Sequence, residues 1–117
     1  MNKHYIIATI CAILLIVISI IGCTQVDTSR YSFREFGSIP ELRNWLSMDD
    51  TDKHPYEENG YDCDDFAIAL CDSAREDGYK IYTFIMETHA LCITKISDMW
   101  YMIEPQTDVI NKWGKEL

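Results

Sequence analysis

Three residues of this chain have the types and the spacing to do chemistry together: a cysteine opening a helix, a histidine opening a strand, and an acid on the following strand. Cys63 sits in the string Tyr61-Asp62-Cys63-Asp64-Asp65-Phe66-Ala67. Apolar Cys63, Phe66, Ala67, Leu70, Cys71 and Ala74 recur along one helical stripe. Asp62 is the predicted cap and Gly78 the predicted stop. The sulfur therefore lies in a first turn, where unpaired amides and the positive end of the helix dipole favour thiolate over thiol. A thiolate so placed is a competent nucleophile. Asp64 and Asp65 oppose its charge, so the chemistry calls for an imidazole nearby.

His89 is the histidine positioned to supply it. Three runs rich in Ile, Tyr, Thr, Phe and Trp, at 79–86, 89–96 and 99–105, read as strands. With Ser97-Asp98 as a two-residue hairpin turn, Ile96 pairs with Met99, Ile93 with Met102 and Leu91 with Glu104. Side chains alternate faces, so His89 and Glu104 become diagonal neighbours on one face, roughly 7–8 Å apart at the backbone. An acid, an imidazole and a helix-capped thiol form the Cys-His-acid arrangement of acyl-transfer enzymes. Asp108 is the next acid that could replace Glu104 if the register slipped.

YDCDDFAIAL, THALC and WYMIEPQ, taken in order, resemble the core of the transglutaminase-like superfamily, including its bacterial cysteine-proteinase branch. The similarity covers about residues 60–106. It implies an α+β, papain-like fold in which a nucleophile helix packs on a small antiparallel sheet. It also implies Cys63 as nucleophile, His89 as general base and acid, and Glu104 as orienting acid where Asp is commoner. The Cys63 amide would form part of an oxyanion hole, with Asn59, Trp45 and Gln106 as candidate side-chain donors. The implied substrate is a protein or peptide, attacked at an amide bond without a cofactor.

The elements around this core follow from composition. The chain has 117 residues, enough for one domain, and a net charge of −9. Beyond residue 22, nine basic residues face nineteen acidic ones, which argues against a nucleic-acid partner. Tyr5 to Ile21 carries no charge, Lys3 precedes it and Gly22-Cys23 follows. This stretch resembles a bacterial lipoprotein signal, which implies cleavage before Cys23 and a lipid thioether on its sulfur; an uncleaved signal anchor is the alternative. Either tethers the domain to the cell membrane, with export placing it on the outer face. Residues 1–22 are thus signal or anchor, 23–37 a tether and 38–117 the domain.

Ser38-Ile39-Pro40-Glu41 has the form of a capping box and opens a helix predicted at about 39–48. The acidic stretch 49–61 reads as a surface loop, with His54 in solvent. Asp62, Asp64 and Asp65 occupy nearly consecutive helix positions that point different ways, so no metal site is expected. Cys71 and Cys92 read as core residues or as a disulfide. The rival to catalysis is an envelope lipoprotein that uses the same fold as a non-catalytic binding or assembly module.

Overall fold

A computed structural model describes residues 32–116 and is α+β: two helices packed on a four-stranded antiparallel sheet. Helix α1 (Ile39–Met48) starts where Ser38 Oγ accepts the Glu41 N–H. The Glu41 carboxylate overshoots the expected capping box. It accepts from the Gly37 N–H at 2.6 Å and from Arg34 at 2.6 Å. A short 3-10 turn (Thr51–Lys53) and an irregular loop lead to helix α2 (Cys63–Glu76). The Asp62 carboxylate accepts the Asp64 N–H, and Asp65 returns a carboxylate to the Asp62 N–H, closing the N-terminus reciprocally. At the other end Gly78, with φ of 82°, takes the left-handed conformation that lets the Tyr79 N–H reach the Ala74 carbonyl.

The strands are β1 (Tyr82–Ile85), β2 (Ala90–Ile96), β3 (Met99–Glu104) and β4 (Val109–Gly114), in meander order. The predicted hairpin register holds: Ile96 pairs with Met99 and Ile93 with Met102. The run at 79–86 contracts to Tyr82–Ile85 because Tyr79 and Lys80 pair with Arg34 instead of with β2. β1 and β2 are joined through Glu87-Thr88, where the Met86 N–H meets the His89 carbonyl at 2.7 Å. β4 was not anticipated. Its polar Asn111 and Lys112 and its mostly exposed positions leave no hydrophobic alternation to read.

Alternation divides the sheet residues between two faces. Ala90, Cys92, Ile96 and Ile103 join Leu42, Trp45, Leu46, Ala67, Leu70 and Ala74 in one buried cluster, so both helices cover that face. On the other face Leu91 and Ile93 are also buried. Phe84 on β1 and Trp113 on β4 meet at 4.7 Å between ring centroids, and Tyr82 meets Trp100 at 6.2 Å. These rings lean over the intervening strands and shield the aliphatic side chains between them.

The body of the domain also begins before Ser38. Phe36, assigned to the tether by sequence, is 1% exposed and stacks on Tyr79 at 4.0 Å. The Arg34–Tyr79 bridge fixes the backbone on either side of the same contact. Residues 1–22, Cys23 and the start of the tether lie outside the described residues. Among the described residues, no helix is long and apolar enough to cross a membrane.

Candidate active site

Cys63 is the first residue of α2, as its Asp62 cap dictates. Its side chain is half-buried and packs against the helix-side cluster that includes Ala67 and Ala90. The sulfur is therefore not sealed in the core, as a purely structural cysteine on the apolar stripe would be. Its polar contact is Asp64 Oδ1 at 3.8 Å. Tyr56, 54% exposed in the preceding loop, lies within electrostatic range of Cys63. Loss of hydration pushes the Tyr56 hydroxyl up first, with Cys63, Asp62 and Glu58 adding to the effect.

His89 and Glu104 come together as their register requires. His89 Nε2 lies 2.6 Å from Glu104 Oε2, with the side chains 35% and 28% exposed. A carboxylate accepts, so in this contact Nε2 carries a proton and donates it to Glu104. Nδ1 has no hydrogen-bond partner among the described residues. Glu104 Oε1 is buried, also without a partner there. The other oxygen, Oε2, holds the imidazole.

The third relation expected from sequence is not made. Among the described residues, no hydrogen bond joins Cys63 to His89 or Glu104. Alternation places Glu104 on the side opposite Ile103, which faces the helices. Glu104 is the last residue of β3, and His89 lies one residue before β2. The pair thus sits at the end of the sheet, while Cys63 sits at the start of the helix that covers the other face.

Trp45 cannot serve as an oxyanion donor. Its Nε1–H donates to Asp77 at 2.8 Å, at the far end of α2 from Cys63. Asn59 has a positive φ of 63° in the loop before α2, and Gln106 lies in the β3–β4 turn. His54, expected in solvent, is exposed but not free. Its ring stacks on Tyr61 at 3.7 Å, and Tyr61 in turn meets Phe66 edge-on at 4.9 Å. Phe66 also faces Tyr56 at 6.4 Å, so aromatic contacts pin the acidic loop onto the first turns of α2. The spacing of His54, Tyr56, Tyr61 and Phe66 was the available signal for this wall, hidden by the loop's acidic composition.

Asp62, Cys63 and Asp64 place one donor atom each within 4.8 Å of one another. The Asp62 oxygen caps the helix and Asp64 faces the sulfur, so side chains at successive positions, expected from sequence to diverge, converge here.

Asp108, the alternative acid, belongs to a different environment. Its carboxyl is pushed up to about 6, first by burial and then by Asp52 and Asp49, with Lys53 opposing. An acid raised in the folded state above its unfolded value of about 3.9 costs stability at neutral pH. That cost is full above the folded value and fades as pH falls toward the unfolded one. Asp108→Asn is expected to raise stability at pH 7 by about 1 kcal/mol, after allowance for solvent screening. The gain should vanish at pH 4, as read from urea midpoints at the two pH values. Asn tolerates the φ of 58° at this position.

No known protein family, curated protein or solved structure matches this chain.

Proposed function

We propose that the chain is a membrane-tethered cysteine acyl-transfer enzyme, transglutaminase-like in its residues, acting on amide bonds of proteins or peptides at the outer face of the cell membrane. The observation that carries this reading is the 2.6 Å bond from His89 Nε2 to Glu104. It fixes the ring through Nε2 and leaves Nδ1 without a hydrogen-bond partner among the described residues, the geometry a thiol needs in its partner. The partly accessible sulfur at a helix N-terminus supports the same reading. The tether rests on the uncharged leader and Gly22-Cys23.

In the proposed reaction, Nδ1 accepts the Cys63 thiol proton and the sulfur attacks the amide carbonyl. The C–N bond then breaks, the leaving amine takes the proton from Nδ1, and a thioester remains on Cys63. Water completes hydrolysis, or a second amine completes transamidation. Glu104 keeps the ring oriented and stabilises it when doubly protonated. Attack requires the Cys63 sulfur to leave Asp64 and come within reach of Nδ1, a contact not made among the described residues.

One observation favours a second reading, a non-catalytic binding or assembly module: the sulfur contacts Asp64 and not His89. Alkylation by iodoacetamide at neutral pH, mapped by peptide, separates the two. The enzyme reading expects fast modification of Cys63, absent in Cys63→Ala and slowed roughly tenfold or more in His89→Ala. Slow modification that ignores His89 identifies the module.

A further inference from the structure

α2 and β2 carry a second pair of sulfurs that the proposed reaction does not use. Cys71 on α2 and Cys92 on β2 are both free, with their sulfurs 3.6 Å apart. Cys92 is fully buried and also donates to the Ala67 carbonyl at 3.3 Å, while Cys71 keeps 5% exposure and accepts from the Thr83 hydroxyl at 3.3 Å. A disulfide requires about 2.05 Å between sulfurs, so roughly 1.5 Å of approach closes one here.

We infer that Cys71 and Cys92 form a redox-active dithiol that a small-molecule disulfide converts to an internal disulfide, joining the helix that bears Cys63 to the strand that follows His89. The two thiols are unequal in a way that orders the steps. The contact with Cys92 and the hydrogen bond from Thr83 bring the Cys71 thiol down to about 7, whereas the contact with Cys71 and deep burial push Cys92 up. Cys71, buried but the less enclosed of the two, attacks one sulfur of the small disulfide and expels a thiolate. Cys92 then loses its proton and attacks the Cys71 sulfur of the mixed disulfide, expelling the second thiolate. Two protein thiols are oxidised and one small disulfide is reduced to two thiols. Cys63, at the other end of the stripe on α2, takes no part in this link. The inference does not depend on whether Cys63 is a nucleophile.

The test exposes the full chain, in detergent, to oxidised glutathione, then blocks remaining thiols with maleimide under denaturing conditions and maps the peptides by mass. The expected product is a Cys71–Cys92 linked peptide, with Cys63 outside the link and carrying either maleimide or glutathione. The expected thermal midpoint is higher by about 10 °C or more than in the reduced protein, since the bond closes a loop of some twenty residues. Cys92→Ala should lose both the link and the oxidant-dependent midpoint shift. Maleimide on both Cys71 and Cys92, glutathione retained on either, or a link from either to Cys63 would each overturn the inference. The wild-type peptide map decides the matter even if the variant does not fold.

Discussion

Under the proposed mechanism, replacing His89 by alanine is expected to slow acyl transfer at Cys63 by roughly 10²–10⁴-fold, the range that one positioned general base supplies. The measurement is nitrophenolate release from p-nitrophenyl acetate, with Cys63→Ala as the blank and thioester on Cys63 followed by mass. In that mechanism Glu104 touches the ring and not the reacting atoms, which makes it a positioning residue whose effect passes through His89. Glu104→Gln keeps a hydrogen-bonding group near Nε2, now 2.6 Å from a carboxylate oxygen, but removes the negative charge that favours an imidazolium. Its amide can also donate to Nε2 and drive the ring proton onto Nδ1, the atom that must accept. The single Glu104→Gln change should therefore slow the reaction less than His89→Ala. The double variant should be no slower than His89→Ala alone, because one residue acts through the other. Independent, multiplying losses would show that Glu104 does something other than orient this ring. Urea midpoints measured in parallel separate loss of fold from loss of chemistry.

The pairing of His89 with Glu104 was legible because it depends on local rules. A two-residue turn at Ser97-Asp98 fixes which residues face each other, and the period of two carries that register to the strand ends. Ser97 takes a positive φ of 55° to make that turn. The α2 boundaries were legible for the same reason: Asp62 and Gly78 act on the turn beside them. The approach of Cys63 to His89 is of another kind. It depends on how α2 docks on the sheet and on which rotamers the sulfur and ring adopt, and no sequence pattern encodes either. β4 escaped notice because an edge strand with few buried positions needs no apolar alternation. Trp45 shows the converse error: its indole N–H was free in the sequence reading, and the fold brings Asp77 to it from 32 positions away.

Phe36 gives the largest expected loss of stability and sets the true start of the domain. In sequence it is one aromatic among polar residues, without a periodic neighbour to mark it as core. In the fold it is 1% exposed, stacked on Tyr79 at 4.0 Å with an interplanar angle of 2°, and tilted against Trp45 at 5.7 Å. Tyr79 is held in turn by Arg34, which donates to its hydroxyl and lies over its ring at 4.4 Å, and by Glu41, which accepts from it at 3.0 Å. Removing the Phe36 ring leaves a cavity between two aromatic faces that cannot collapse without breaking those bonds. Phe36→Ala should cost about 3–5 kcal/mol, a large share of the 5–15 kcal/mol typical of a domain. Phe36→Leu, which keeps most of the volume, should cost less than half as much. Arg34→Ala, which removes an exposed charge pair, should cost less than either. Urea unfolding of the three variants checks this order. If Phe36→Ala unfolds at the wild-type midpoint, residues 34–36 are tether after all and the domain starts at the α1 cap.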